Sequence, residues 1–518
     1  MNFRPELAKR LDQCLDAFQD GFRHNVALIG PPGAGKTFQI ETALRAPRPL
    51  VTVACPLYRE SCRSFLTRFV GAITAAGLRS DAAPVQHVHN LISRRQHAEA
   101  FTKALDLIPL LAAEQRQPVV LALDEFLYLE ELGLAHAFHE LGKRVMTWPH
   151  TLFLLSSSSP FCAKAILRER LQLLFGHFEI LTLDTPEPGA TQLWVRHQLA
   201  GLEGAQDGVA FLLHWLGGSP WYLTAFIQRL RELATLRGAR QLNEPLFFET
   251  AWDLLGHPSG SLHQWCGARI GAVGQGRTGT KAAEALLAIA DGARTLTEIA
   301  RRIGRAGLTT ALQTLISHDL VQRQGACWFV PDPVFRSWLT TVLSPQRQGM
   351  ANDPATCRAR FERHLSGAWM HWLHTVELSS SEQIVHLLSR FQDDTISLDS
   401  KTGRLPRFDR IHTQPDPQGP AAAATYLVAD GLGKRWCCAV HEARIDEAAV
   451  ARFENFCRSQ APKPSRKIIV ARGPVDDNAR LLAKAHHMWV WQPEELRVLM
   501  ELYGQLPEPA HAVAAIRA

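Results

Sequence analysis

Gly30-Pro31-Pro32-Gly33-Ala34-Gly35-Lys36-Thr37 decides the fold: it is a full G-x-x-x-x-G-K-T loop, preceded by the apolar run Val26-Ala27-Leu28-Ile29 and followed by an amphipathic stretch. Strand, glycine-rich turn and helix in that order predict a cradle for a nucleoside triphosphate. Glycines let the backbone curl so that successive N–H groups point at phosphate oxygens, and the helix N-terminus adds partial positive charge. Lys36 is expected to reach the β/γ-phosphates and Thr37 to ligate Mg²⁺, with Gly30, Pro31, Pro32, Gly33, Ala34 and Gly35 forming the rest of the cradle.

Two further segments complete such a site. Val119-Val120-Leu121-Ala122-Leu123 reads as a buried strand ending in Asp124-Glu125, which suits Asp124 to hold Mg²⁺ and Glu125 to polarise an attacking water. Thr151-Leu152-Phe153-Leu154-Leu155 runs into Ser156-Ser157-Ser158-Ser159. A strand there, between the first and the Asp-Glu strands, brings a hydroxyl to the γ-phosphate, with Ser158 favoured. Glu125, Lys36 and Ser158 are therefore the catalytic candidates, and ATP with Mg²⁺ the expected ligands.

Outward from the loop, short apolar runs at 26–29, 50–54, 119–123, 152–155 and 178–183 alternate with helical patterns, the signature of a parallel sheet buried on both faces. The predicted fold is an α/β P-loop NTPase core over 1–190 and a helical lid over 191–275. A winged helix-turn-helix over 276–345 follows from helices at 281–290, 296–303 and 309–320 and a hairpin at 321–330. A linker over 346–357 is read from Pro345 just before it, Pro354, Gly349 and lack of period, and an α+β domain over 358–505 follows.

Bulk properties agree with several domains. The chain has 518 residues, 46% hydrophobic and 20% charged, with a formal net charge of +6, against a prior of ~150 residues per domain. So mild a positive charge permits a nucleic-acid partner without requiring one. No apolar stretch approaches the ~20 residues that span a bilayer, and the N-terminal stretch has charges throughout and no small-residue cleavage site, so a cytoplasmic protein with no membrane partner is expected. Ten cysteines without a C-x-x-C pair read as reduced and buried.

Gly217-Gly218-Ser219-Pro220-Trp221-Tyr222-Leu223 and Asp332-Pro333-Val334-Phe335-Arg336-Ser337-Trp338-Leu339, in that order after the loop, resemble motifs of the archaeal-type ATPases, a branch of the STAND/AAA+ P-loop NTPases. The resemblance covers about 5–345 and implies that Gly218 and Pro220 meet the nucleotide at the lid. The family's Leu-Tyr-Gly-Arg stretch is here Leu174-Phe175-Gly176-His177. His177 can act as a cation only when protonated, while Arg168 and Arg170 are candidate fingers reaching a neighbouring copy, so a homo-oligomer is one implied partner.

The last domain resembles PD-(D/E)XK nucleases through Asp409 and the run His441-Glu442-Ala443-Arg444. The resemblance implies a second Mg²⁺ site at Asp409 and Glu442, with Glu362 on the first helix. Arg444 stands where the lysine belongs, and a guanidinium that keeps its proton is a poor substitute, so a degenerate, nucleic-acid- or protein-binding version is favoured. His136 and His139, three apart, lack a third metal ligand, and Trp369, Trp372, Trp489 and Trp491 read as core. The expected function is an ATP-driven switch with a DNA- or partner-binding output. An ATPase-controlled nuclease and a winged-helix DNA-binding regulator, using Arg301, Arg302, Arg305 and Arg323, are the alternatives.

Overall fold

The computed structural model describes residues 4–134, 136–169, 178–183, 188–202, 205–274, 276–350, 353–398, 401–416, 424–431 and 433–503. Arg170, Leu174, Phe175, Gly176 and His177 lie outside the described residues, as do Pro417 and Gly419. The chain forms two units: one comprises 1–198, Gly218–Ala225 and Ser317–Asp319, and the other takes the remainder.

The first unit holds a parallel sheet of β1 (Asn25–Ile29), β2 (Val51–Pro56), β3 (Val119–Asp124), β4 (Thr151–Ser157) and β5 (Phe178–Thr182), ordered β2-β3-β4-β1-β5. Its helices are α1 (Pro5–Gln19), α2 (Lys36–Arg45), α3 (Cys62–Ala75), α4 (Ala83–Ser93), α5 (His97–Leu105), α6 (Leu107–Gln115), α7 (Tyr128–Glu131), α8 (Ala137–Thr147), α9 (Pro160–Glu169) and α10 (Pro188–Gln198). Successive strand residues point to opposite faces, so Val26 and Leu28 pack with Leu11, Leu15 and Phe18 of α1 and Ile40 of α2. Ala27 and Ile29 join the larger core built with α3 to α6 and α8. A parallel sheet needs both faces covered, and the unbroken burial of β1, β3 and β4 up to their last residues meets that need. The sheet and its helices match the α/β P-loop NTPase core expected from the sequence, with the loop leaving the C-terminal end of β1.

The second unit begins with α11 (Ala205–Trp215), the later part of α12 (Pro220–Arg237), α13 (Glu244–Ala251) and α14 (Ser261–Ala272). The segment expected to be a winged helix contains α15 (Arg277–Ala290), α16 (Leu296–Ile303) and α17 (Leu308–Ser317), then the hairpin β6 (Gln322–Gln324) and β7 (Cys327–Phe329). Thr295 and Glu298 form a reciprocal capping box that starts α16. Next come α18 (Pro333–Trp338), α19 (Ser344–Arg347), α20 (Pro354–Glu377) and α21 (Ser380–Ser389). The stretch read as a linker thus carries the end of α19 and the first turn of α20. Its proline, Pro354, opens α20, where a missing N–H costs nothing.

A hairpin of β8 (Asp394–Leu398) and β9 (Lys401–Leu405) precedes a mixed sheet of β10 (Arg410–Pro415), β11 (Ala424–Gly431), β12 (Lys434–His441), β13 (Arg466–Ala471) and β14 (Trp489–Trp491), in that order. The first three strands run antiparallel and the last three parallel, joined by α22 (Glu447–Ser459) and α23 (Asp477–Ala485), with α24 (Pro493–Tyr503) after them. Trp372, Trp489 and Trp491 are buried, and the Trp369 ring lies 4.6 Å from that of Phe211. All ten cysteines are free and eight are buried.

The β6–β7 hairpin is not a projecting wing. Cys327 and Phe329 share a core with Ile384, Leu387, Ile396, Leu427 and Trp436, and the Ala326 N–H donates to the Thr395 carbonyl over 2.9 Å. Arg294 donates to the Leu502 carbonyl and stacks on Tyr503, whose hydroxyl donates to Asp394. Gly325 turns the hairpin with φ +64°, and a Cβ there would come within 2.7 Å of the Ile396 backbone. Gly325→Val is expected to lower the stability of this unit by about 2–4 kcal/mol, from left-handed strain plus overpacking. Denaturant titration followed by tryptophan emission measures it, with Gly349→Ala, left-handed but in open space, losing about 1 kcal/mol.

Candidate nucleotide site

The loop's geometry follows from its glycines. Gly30 sits against Leu183, whose Cβ would lie 2.7 Å from a Cβ at position 30, and Gly33 and Gly35 take φ of +75° and +91°, which L side chains resist. Lys36 starts α2 with its side chain 4% exposed. Its Nζ donates to the carbonyls of Gly30 (2.9 Å) and Pro31 (3.1 Å) and stands 4.0 Å from Glu125 Oε1. Burial pushes this ammonium below its ordinary pKa, opposed by Glu125 and Asp124. A desolvated cation met mainly by carbonyl dipoles favours an arriving polyanion.

The carboxylates end β3 beside that loop. Thr37 Oγ1 donates to Asp124 Oδ2 over 2.7 Å, and the buried Ser156 hydroxyl donates to Asp124 Oδ1. Glu125 has a left-handed backbone, φ 56°, and accepts at Oε2 from the Ser158 N–H (2.9 Å) and at Oε1 from the Ser158 hydroxyl. The structure therefore brings Lys36, Thr37, Asp124, Glu125 and Ser158 together. Gly218 and Pro220 belong to the same unit: Pro220 opens α12, and Trp221 Cβ lies 2.8 Å from where a Cβ on Gly33 would sit.

Three contributors escaped the sequence reading. Arg4, buried before α1, donates from Nη1 to the Ala34 carbonyl over 2.5 Å. Ser156 holds Asp124, and its hydroxyl bond to that carboxylate, not its burial, which Ser157 shares, distinguishes it among the four serines. Trp221 abuts the loop at a position that nothing in its local pattern singles out.

The proposed second metal pair is not brought together. Asp409 precedes β10 and its N–H donates to the Asp430 carbonyl, Asp430 pairs with Arg435 at the start of β12, and Glu442 follows the end of β12. At roughly 3.3 Å per residue the two acids stand about 23 Å apart along the strand. The acid at the Glu442 end is Asp416, next to Ala424, the cross-strand partner of His441. Its carboxylate is 2% exposed and ion-paired with Arg452 at 3.0 Å. Arg444 pairs with Asp476 at 2.5 Å, and Glu362 with Arg358 on the same helix. His136 and His139 are exposed, and no cluster of three potential metal ligands occurs among the described residues.

No family model matches the chain, and no curated protein matches it. Among solved structures, the chain is similar to a Walker-type ATPase of Pyrococcus abyssi, 16% identical with a TM-score of 0.47 over 65% of this chain and 95% of that one. It is also similar to the ORC2 protein of Aeropyrum pernix in ADPNP-ADP complexes, 14% identical with a TM-score of 0.43 over 66% and 94%. A third is the Thermotoga maritima RuvB Holliday junction branch migration motor, 16% identical with a TM-score of 0.33 over 67% and 95%. No helix among the described residues is long and apolar enough to cross a membrane.

The separation of Asp409 from Glu442 yields a direct expectation. With nucleotide present, Mn²⁺ binding read by electron paramagnetic resonance is expected to be unchanged by Asp409→Ala combined with Glu442→Ala, and to weaken about tenfold or more on Asp124→Ala.

Proposed function

We propose that this chain is an ATP-binding and ATP-hydrolysing molecular switch of the STAND/AAA+ kind, passing its nucleotide state to a DNA- or protein-binding output. The observation that carries this reading is the convergence of the buried Lys36 ammonium, the Thr37–Asp124 pair and the Ser158-held Glu125 at the end of one parallel sheet. In this reading Lys36 and the N–H groups of Gly33 to Thr37 bind phosphates, while Gly218 and Pro220 lie against the nucleotide. Thr37 and Asp124 fit Mg²⁺: a hydroxyl and a carboxylate, already in contact, are the hard oxygen donors that ion takes. When bound, the ion supplies charge that offsets the phosphates. Glu125 orients and deprotonates water once Ser158 releases it, and Ser158 is then free to sense the γ-phosphate. Exposed Arg168 would serve a neighbouring copy in a homo-oligomer.

For the output, Arg301, Arg302 and Arg305 are exposed around the turn between α16 and α17, and Thr309, Thr310 and Gln313 are exposed on α17. That face suits phosphate and base-edge contacts. Burial of β7 leaves Arg323, exposed on β6 and stacked at 5.6 Å on Trp328, as the hairpin's share. The distance between Asp409 and Glu442 speaks against an ATPase-controlled nuclease that uses that pair.

Lys36→Ala is expected to weaken ATP binding about a hundredfold or more, as loss of charge-assisted bonds to phosphate implies. Glu125→Gln is expected to keep affinity while slowing turnover about 10²- to 10⁴-fold. Equilibrium dialysis and phosphate release measure both, and wild-type behaviour in both variants would sink the proposal. For the output, replacing Arg301, Arg302 and Arg305 by serine is expected to cut the slope of log affinity for duplex DNA against log salt by about 0.9 per lost phosphate contact. An unchanged slope points the output to a protein partner instead.

A further inference from the structure

After its second unit begins, the chain returns to the first only twice, at Gly218–Ala225 and at Ser317–Asp319. The second return ends α17 in an unusual way. The Leu320 N–H donates to the Leu315 carbonyl over 3.0 Å, and Asp319 adopts φ 52°. This is a left-handed helix ending of the kind glycine normally supplies, because it has no Cβ to strain. An aspartate there needs a reason, and its carboxylate shows one. Asp319 Oδ1 accepts the Phe161 N–H over 3.1 Å, and the Ser317 carbonyl faces Cys162 Sγ at 3.3 Å.

Phe161 is in the first turn of α9, where helix N–H groups have no partner within their own helix. Pro160 before it has no N–H at all. Asp319 therefore caps α9 from 158 positions away. The helix so capped starts directly after Ser158 and Ser159, and Ser158 holds Glu125 through both its N–H and its hydroxyl. The next backbone bond, Ala163 N–H to the Ser159 carbonyl at 2.9 Å, makes the Ser158 turn and the first turn of α9 mechanically continuous. Burial pushes the His318 pKa down, with Arg59 adding to it, and pushes the Cys162 thiol up, with Asp319 and then Glu130 adding to it.

We propose that Asp319 is a positioning residue that ties the state of the nucleotide site to the last turn of α17. Release of Glu125 by Ser158 moves the first turn of α9, and the Asp319 cap carries that movement to Ser317 and the residues before it. The inference rests on the proposed ATP-binding function and adds the residue through which the signal leaves the site.

Hydrogen exchange on the full chain, with ADP and with a non-hydrolysable ATP analogue, tests it. In the wild type, amides between 309 and 319 and that of Phe161 are expected to differ about fivefold or more in exchange between the two nucleotides, the size set by making or losing one helix cap. Asp319→Gly keeps the left-handed helix ending but removes the carboxylate, and is expected to abolish the difference while both nucleotides still bind. Asp319→Asn keeps an acceptor and is expected to restore most of it. A nucleotide-dependent difference that survives in Asp319→Gly overturns the proposal, as does a wild type that binds the analogue without any difference at 309–319. Failure of the wild type to bind either nucleotide strikes instead at the ATP-binding function itself.

Discussion

A buried ammonium is the constraint on which the rest of the site depends. Lys36 is almost wholly shielded from water, yet among the described residues its Nζ has two loop carbonyls within hydrogen-bond distance and one carboxylate 4.0 Å away. Such a cation is costly to desolvate and incompletely compensated. Its neighbours can be understood as what this cation requires: glycines where the loop must bring carbonyls inward, two acids at the end of β3, and hydroxyls that hold those acids at a distance. Removing either acid would leave the cation worse compensated, and removing the cation would leave two consecutive carboxylates at the end of β3 without it.

The loop and its strands were legible because their signals are local. Eight consecutive residues specify a backbone path through glycines and a charge through Lys36, and unbroken Val, Ile and Leu runs specify burial on both faces. The same local logic makes the capping box at Thr295 and Glu298 readable. The serine run after β4 was only half readable. Alternation along β4 separates Ser156 from Ser157 but not from Ser158, which lies past the strand's end; that Ser156 reaches Asp124 and Ser158 reaches Glu125 follows only once the register beside β3 is fixed.

What could not be read is non-local. Arg4 is joined to Ala34 by a fold that returns the N-terminus to the loop, and no spacing announces it. The pairing of Asp409 with Glu442 failed for the same reason. Asp409 precedes β10 and Glu442 follows β12, and the meander through β11 places the start of the one and the end of the other at opposite ends of the sheet. Pro354 of the supposed linker misled in a third way: proline marks a helix start as well as a loop, and Asp353, accepting the Thr356 N–H over 2.9 Å, is the cap that tells the two apart.

Glu125 shows how the site keeps a costly conformation. A side chain bearing a Cβ at φ 56° is strained by about 1–2 kcal/mol. Here the backbone on either side is held from β4: the Glu125 N–H reaches Ser156 Oγ at 3.3 Å and the Phe126 N–H the Ser156 carbonyl at 3.0 Å. Ser158 then fixes the carboxylate by two bonds. Backbone strain and side-chain restraint thus depend on one strand end, so a displacement of β4 by less than an ångström loosens both together. A carboxylate held this way is more naturally a group with two positions than a fixed base, because the bonds that restrain it are the bonds any incoming phosphate would compete for.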